Sequence, residues 1–144
     1  MVIEYADLEC PYCAQAHLIL KRLPVKRVFR HFPVMSKHPR ARVLAAAAEA
    51  AGLQGRFWEM HDSLLEDQGH LDDPHLWERA RMLDLDLDRF ESDRRSEAVA
   101  ARVQDQFRSG IRAGVTTTPT QFVDGRPHPG VPSASFQEAL RLSR

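Results

Sequence analysis

The chain has 144 residues, of which 43% are hydrophobic and 28% are charged, and this length suits one domain with a well-filled core. Its 20 basic and 20 acidic residues give a formal net charge of zero, so we expect neither nucleic acid nor a membrane surface as a partner. Two cysteines are too few for a disulfide-dense secreted scaffold. The longest uninterrupted apolar run, residues 43–48, is too short to span a bilayer.

The amino terminus favours a strand rather than a targeting segment. Residues 1–6 lack the basic segment, apolar segment and small-residue cleavage site of a secretory signal. As given, the chain is therefore expected in the cytoplasm. A leader that had been trimmed away would instead place the mature protein in the periplasm or outside the cell.

The first part of the chain predicts a strand, a helix and a second strand. Residues 2–6 favour β structure, and an apolar helical face begins near Pro11 and stops before Pro24. Residues 25–34 predict the second strand. A strand, crossover helix and strand of these lengths form a βαβ unit, so the two strands should be parallel.

The middle of the chain, from about residue 40 to residue 114, predicts helices throughout. Four apolar stripes at helical spacing lie within residues 43–51, 57–65, 76–83 and 99–111. We interpret their leucine, phenylalanine and tryptophan side chains as packing surfaces rather than a cofactor site.

The last part of the chain returns to β structure. Residues 120–123, the dipeptide Asp124-Gly125 and residues 126–128 predict a hairpin, and a final helix follows near Ser133. The expected sheet order is second, first, third and fourth strand, with the last two strands antiparallel to the others.

The most informative motif is Cys10-Pro11-Tyr12-Cys13, which lies between the first strand and the first helix. Positions three apart in a helical turn come close enough to form a disulfide. The helix start gives Cys10 unpaired backbone N–H groups and the positive end of the helix dipole, and both lower a thiol pKa. Pro11 suits the first helical turn. We therefore expect Cys10 to be the exposed nucleophile and Cys13 the protected resolving thiol.

Two other interpretations of the cysteine pair stay open. A structural disulfide closing so short a loop would contribute only about 2 kcal/mol, and it would link residues that are already adjacent in a helix. A zinc half-site is the stronger competitor, because Cys-x-x-Cys is a common metal spacing. The sequence has no second cysteine pair, so His17 is the nearest third ligand. We favour redox chemistry, without a metal.

A second motif is Thr118-Pro119, at the start of the predicted third strand. If that strand runs antiparallel beside the first strand, Pro119 lies next to Cys10. A cis bond at this proline would leave the Thr118 backbone free to pair with an extended substrate segment. The alternative is an ordinary trans proline at a strand start.

These motifs together resemble the DsbA-like thioredoxin-fold oxidoreductases over nearly the whole chain. The resemblance is carried by the residues D-L-E-C-P-Y-C at 7–13 and T-P-T at 118–120. The residues R-H-F-P at 30–33 and G-R-F-W-E-M-H at 55–61 resemble the bacterial subgroup that occurs alone or fused to sodium/proton antiporters. Because the chain has no transporter segment, we expect a free-standing relative of those fused domains.

The resemblance implies an α/β fold of the thioredoxin type with a four-stranded mixed sheet. Residues 1–36 and 115–144 would form the thioredoxin-like domain, and residues 37–114 would form an inserted helical domain. It also implies a thiol–disulfide oxidoreductase that acts on cysteine-containing protein or peptide substrates. A redox partner, either glutathione or another thiol oxidoreductase, would complete the cycle without any cofactor.

The resemblance also assigns roles to individual residues. Cys10 would be the nucleophile, Cys13 the resolving thiol and Glu4 a proton relay to the buried thiol, although a strand-edge glutamate in water is the alternative for Glu4. His17, His31 and His38 are expected to be surface or strand residues rather than catalytic ones. The residues expected to bind substrate are Pro11, Tyr12, Thr118 and Pro119.

Tyr12 departs from the family pattern, because the best-known DsbA proteins have histidine at this position. The change removes one stabiliser of the Cys10 thiolate, and Pro-Tyr is the dipeptide of glutaredoxins. A glutathione-linked reductase of the glutaredoxin type is therefore one alternative. A metal-binding module without enzymatic activity, using Cys10, Cys13 and His17, is the other.

Overall fold

Four short strands and seven helices form residues 1–143, the part of the chain that the computed structural model describes. In chain order the elements are β1 (Val2–Ala6), α1 (Pro11–Leu20), β2 (Arg27–His31), α2 (Ala41–Gly52), α3 (Phe57–Glu66), α4 (Asp73–Met82), α5 (Leu87–Arg94), α6 (Glu97–Arg112), β3 (Thr120–Val123), β4 (Arg126–Pro129) and α7 (Ala134–Leu142). Among these residues, no helix combines the length and the apolar character that crossing a bilayer requires.

The strands form one mixed sheet in the order β2-β1-β3-β4, which confirms the predicted order. Strands β1 and β2 are parallel, whereas β3 is antiparallel to both β1 and β4. The expectation that β4 also runs against the first two strands is wrong. Asp124 and Gly125 form a tight turn with φ values of 49° and 78°, so the chain reverses direction and β4 runs parallel to β1.

Five helices, α2 to α6, lie between β2 and β3, whereas the apolar stripes predicted four. The additional helix is α5, whose buried residues are only Phe90 and Arg94, so it has no apolar stripe to detect. Its start does carry a local signal. The Asp86 carboxylate accepts a hydrogen bond from the Arg89 backbone N–H at 2.9 Å, as an N-cap residue does.

The largest hydrophobic core is shared between the start of the chain and the helices that follow β2. It joins Leu8, Cys10 and Cys13 to side chains of α2 and α3 such as Leu44 and Leu64. The cysteine pair therefore lies where the sheet side of the molecule meets the helices. The predicted domain boundaries fall in the loops that precede α2 and follow α6, and the division into two domains stays a prediction.

Helix α6 packs very closely against the sheet at Gly110. A Cβ atom at this position would lie 2.6 Å from the Phe32 Cδ1 atom and 2.9 Å from the Tyr5 Cδ1 atom. Such distances are too short for any side chain, so the approach of α6 to β1 and to the residue after β2 requires glycine.

Candidate active site

Cys10 is the N-cap residue of α1, with extended backbone angles, and Pro11 begins the helix behind it. Proline is favourable there because the first helical N–H groups have no partner within the helix. Both cysteines are free thiols, and they lie 3.6 Å apart. The helix start thus brings the two sulfur-bearing residues together, as the spacing predicts.

Both cysteine residues are buried, with Cys10 3% and Cys13 1% exposed. The expectation of an exposed Cys10 is therefore wrong. The loop before β3 covers it, since the Cys10 thiol lies 3.9 Å from the Thr118 carbonyl oxygen and Pro119 is buried beside that carbonyl. Tyr12, which is 60% exposed, provides the open surface of the motif.

The two thiols differ strongly in acidity. A hydrogen bond from Cys13 is the largest cause that lowers the pKa of Cys10 to about 5, and backbone N–H groups of Cys13 and Tyr12 add to it, whereas burial opposes it. Burial is the largest cause that raises the pKa of Cys13, and the neighbouring Cys10 and Glu4 raise it further. At neutral pH the pair therefore consists of a Cys10 thiolate and a Cys13 thiol.

The Thr118–Pro119 peptide bond is cis. The residues around it are fixed by hydrogen bonds, from the Thr120 hydroxyl to the Thr117 carbonyl at 2.7 Å and from the Gly130 N–H to the Pro119 carbonyl at 2.7 Å. Thr120 is the first residue of β3 and lies opposite Tyr5 of β1. This pairing brings the proline loop to the end of β1, next to Cys10.

Glu4 is 3% exposed in the central strand β1, so the alternative of a strand-edge glutamate in water is wrong. Its carboxylate accepts a hydrogen bond from the Gln121 side chain at 3.1 Å and lies 3.6 Å from the Arg27 guanidinium. Burial raises the pKa of Glu4, and Arg27 and Gln121 only partly offset this effect. A buried acid that takes up a proton easily therefore lies close enough to influence Cys13.

The sequence placed Asp7 in the motif at 7–13 without giving it a role, and the structure shows that it supports the motif from the end of β1. The Asp7 backbone N–H donates a hydrogen bond to the Cys13 sulfur at 3.4 Å. The Asp7 carboxylate accepts from the backbone N–H groups of Glu9 and Val34 and lies 2.9 Å from His38 Nδ1. Its position directly after a strand and three residues before Cys10 is a signal that could have indicated this role.

Sequence reasoning missed Gln68, in the loop between α3 and α4. Its side-chain amide donates hydrogen bonds to the Leu8 and Cys10 carbonyl oxygens, both at 3.0 Å. Gln68 is 60 residues from Leu8 and 58 residues from Cys10 in the sequence, and it lies in a loop without any motif. No local signal could therefore have predicted these contacts.

The expectation that His17 is a surface or strand residue is wrong, because it lies in helix α1 and is only 1% exposed. It lies one helical turn beyond Cys13 and faces α3 rather than the cysteines. Within residues 1–143, His17 groups with His61 and Asp62, and Cys10 and Cys13 do not join that group. The proposed cysteine-and-histidine metal set is therefore not brought together. Burial lowers the pKa of His61 to about 4.

A reduced cysteine pair at the start of a helix, beside a proline loop on a β2-β1-β3-β4 sheet, defines a thioredoxin-fold oxidoreductase. The chain belongs to the thioredoxin family, whose family model matches residues 1–141. This finding confirms the resemblance and the fold class that the sequence predicted.

Relatives by sequence carry the names of membrane transporters. The chain is 46% identical over 134 residues to the Na(+)/H(+) antiporter NhaA 1 of Salinispora arenicola. The aligned residues cover 90% of this chain and 21% of that protein. It is 36% identical over 153 residues to the Na(+)/H(+) antiporter NhaA 1 of Mycolicibacterium vanbaalenii, covering 100% of this chain and 25% of that protein. The chain thus spans between a fifth and a quarter of the length of these relatives.

Relatives by structure are oxidoreductases. A thioredoxin-like oxidoreductase from Silicibacter pomeroyi superposes with a TM-score of 0.82 at 26% identity, covering 98% of this chain and 84% of the other. DsbA2 of Pseudomonas aeruginosa superposes with a TM-score of 0.77 at 25% identity, covering 98% and 86%. The thiol-disulfide exchange protein alpha-DsbA2 of Wolbachia pipientis shares the fold with a TM-score of 0.85 at 18% identity, covering 99% and 81%.

Proposed function

We propose that this protein exchanges disulfides with cysteine-containing protein or peptide substrates through Cys10-Pro11-Tyr12-Cys13. The observation that carries the proposal is the position of two free thiols 3.6 Å apart at the start of α1, next to the cis Thr118–Pro119 loop, and the unequal acidity of the two thiols supports it. The pKa of Cys10 is lowered to about 5, whereas the pKa of Cys13 is raised. One sulfur is therefore suited to enter and leave disulfides, and the other is suited to hold a proton.

In the oxidising direction, a substrate thiolate attacks the Cys10 sulfur of the Cys10–Cys13 disulfide. The Cys10–Cys13 bond breaks, and Cys13 leaves with the electron pair and takes up a proton, for which Glu4 is the proposed donor. A second substrate thiolate then attacks the substrate sulfur of the mixed disulfide. Cys10 leaves as the thiolate, and two electrons have passed from the substrate dithiol to the enzyme.

The low pKa of Cys10 favours this direction. A fall from 9.0 to about 5 raises the thiolate fraction at pH 7 by about 100-fold. The lower basicity reduces intrinsic nucleophilicity by about 60-fold, taking a Brønsted coefficient of about 0.45, so attack by Cys10 gains almost nothing. Departure of Cys10 gains much more, because a more acidic thiol is a better leaving group. The proposed net reaction is thus oxidation of substrate dithiols.

The proposed substrate groove is formed by Pro11, Tyr12, Thr118 and Pro119. The exposure of Tyr12 supports this assignment, as does the position of the Thr118 carbonyl next to Cys10. An extended substrate segment would pair with the backbone at Thr118 while its cysteine meets Cys10.

A trapping experiment tests the proposal. Mixed with an unfolded protein substrate that carries a disulfide, Cys13→Ser should retain mixed disulfides, because Cys10 attacks the substrate disulfide, one substrate sulfur leaves as a thiolate, and the resolving thiol is missing. The matched variant Cys10→Ser should retain none. Equal trapping by the two variants would refute the assigned roles.

A turnover comparison separates the protein substrate from glutathione. The oxidised wild-type chain should oxidise a reduced protein dithiol faster than it is reduced by glutathione at equal thiol concentration. Faster turnover with glutathione would favour the reductase of the glutaredoxin type that Tyr12 suggests.

A further inference from the structure

A second polar cluster lies on α1 and α3, one helical turn beyond Cys13. His17, His61 and Asp62 each place one potential ligand atom within 4.8 Å of those of the other two. Both histidine side chains are buried, at 1% and 0% exposure, whereas Asp62 is 37% exposed. The cluster is thus enclosed by protein on the histidine side and open to solvent on the carboxylate side.

The distances within the cluster match the spacing of ligands around a small metal ion. His17 Nε2 lies 2.8 Å from Glu66 Oε2 and 3.7 Å from Asp62 Oδ1, and His61 Nδ1 lies 2.8 Å from Asp62 Oδ1. Ligand atoms at about 2.0–2.1 Å from a tetrahedral zinc ion are about 3.3 Å from one another. The ligand atoms of His17, His61 and Asp62 already lie within 4.8 Å of one another, whereas Glu66 is close to His17 alone and would have to turn toward the ion as the fourth ligand.

The rings of His17 and His61 contact polar partners only through the nitrogen that faces the cluster. Their other nitrogens, His17 Nδ1 and His61 Nε2, are buried and have no hydrogen-bond partner among residues 1–143. The rings themselves meet edge to face, with centroids 5.2 Å apart. The cluster is therefore the one place where both imidazoles can use their polarity.

We propose that His17, His61, Asp62 and Glu66 bind a divalent transition metal ion, with Zn²⁺ as the best match. Two imidazole nitrogens and two carboxylate oxygens are ligands that zinc accepts in tetrahedral geometry. Calcium and magnesium prefer oxygen ligands alone and fit this set poorly. The exposed carboxylates give an ion a path of entry from solvent.

Bound zinc would join α1 to α3 next to the active site. It would also compete with Lys21, whose Nζ atom lies 3.1 Å from Glu66 Oε2 and already meets this carboxylate. The site does not involve the cysteines, so it is independent of the proposed exchange reaction.

The test uses the full chain without a histidine tag, carrying Cys10→Ser and Cys13→Ser so that thiols do not bind the metal. Calorimetric titration with ZnCl₂ should show one equivalent bound, and Co²⁺ should give visible absorption bands typical of tetrahedral coordination. Added Zn²⁺ should also raise the melting temperature, because binding stabilises the native state. In this background Asp62→Asn and Glu66→Gln should each weaken zinc binding by about tenfold or more.

The control is the double variant His70→Gln and His75→Gln. Each of these exposed histidines pairs with an aspartate on the surface, His70 with Asp67 and His75 with Asp72. The proposal requires zinc affinity to survive this change. It is overturned if the folded parent does not bind zinc, if the two carboxylate variants keep the parent affinity while circular dichroism shows them folded, or if the surface control loses as much affinity as they do.

Discussion

Two buried carboxylates near the cysteines, those of Asp7 and Glu4, differ in the number of hydrogen bonds that the protein gives them. Asp7, directly after β1, accepts hydrogen bonds from the Glu9 and Val34 N–H groups at 2.8 Å each and lies 2.9 Å from His38 Nδ1. These contacts connect the loop before α1 with the loop that follows β2. Such a carboxylate holds two segments of the chain together.

Glu4, within β1, has fewer and longer contacts. It accepts one hydrogen bond, from Gln121 at 3.1 Å, and the guanidinium of Arg27 lies 3.6 Å away. Burial consequently raises the pKa of Glu4. Burial alone therefore does not distinguish the two carboxylates, because both are at most 3% exposed; their hydrogen bonds do. Asp7, with its full set of hydrogen bonds, therefore has a structural place, whereas Glu4, with a raised pKa and fewer contacts, suits the proposed proton relay.

The largest expected effect follows from removing the satisfied carboxylate. Asp7→Ala should lower the free energy of unfolding by about 3 kcal/mol, because each buried donor left without an acceptor costs about 1–3 kcal/mol. Urea unfolding measures this loss. Asp72→Ala removes an exposed carboxylate that also pairs with a histidine, His75, and should change stability by no more than about 0.5 kcal/mol. Equal losses in the two variants would contradict the structural role of Asp7.

Glu4, the carboxylate with fewer hydrogen bonds, should affect the rate of disulfide exchange. Glu4→Gln should slow the disulfide exchange that depends on Cys13 by about 10²-fold, the low end of what general acid–base catalysis contributes. Stopped-flow mixing with a reduced dithiol peptide measures the rate. Glu49→Gln is the matched control, because Glu49 is also buried but is bound by Arg102 at 2.6 Å. We expect its exchange rate to stay at the wild-type value.

The stability difference between wild type and Glu4→Gln should also change with pH in a definite direction. Because the pKa of Glu4 is raised above 4.5, the folded wild type holds this proton more tightly than the unfolded chain does. Wild-type stability should therefore fall relative to Glu4→Gln as the pH rises from 4.5 through the raised pKa. A variant that loses stability relative to wild type over this range would show that Glu4 is stabilised in its charged form.

The acidity of Cys10 can be tested by measuring protein stability as a function of pH. Its pKa is lowered from 9.0 to about 5, so the stability it contributes to the reduced protein is complete above pH 9 and is lost as the pH falls to 5. The stability difference between reduced wild type and Cys10→Ser should grow by about 1.4 kcal/mol per pH unit between pH 6 and 8. A difference that does not change with pH would mean that the Cys10 thiol has its ordinary acidity.

Local sequence signals predicted most of the fold. Pro11 at a helix start, the Asp124-Gly125 turn and the Ser133 cap, which accepts a hydrogen bond from the Phe136 N–H, each act over a few residues. The polar helix α5 lacked an apolar stripe and was missed. The sequence predicted the cysteine motif of the candidate active site, but it did not predict that Cys10 is buried. Cys10 is buried by the loop at Thr118, and such a contact depends on the tertiary fold rather than on nearby residues.

Gln68 is the clearest case of a contact that sequence could not predict, and it carries the smallest expected effect. Gln68→Leu removes both hydrogen bonds to the Leu8 and Cys10 carbonyls and should cost about 1 kcal/mol of stability. The Cys10 thiolate, followed by its ultraviolet absorbance, should titrate at higher pH because the helix start is held less firmly. Gln54→Leu removes two hydrogen bonds at the surface, one from its amide to the Asp86 carbonyl and one from the Asp86 N–H to its side-chain oxygen, and should change neither quantity. If Gln68→Leu behaves like Gln54→Leu, the helix start is fixed by the Asp7 contacts alone.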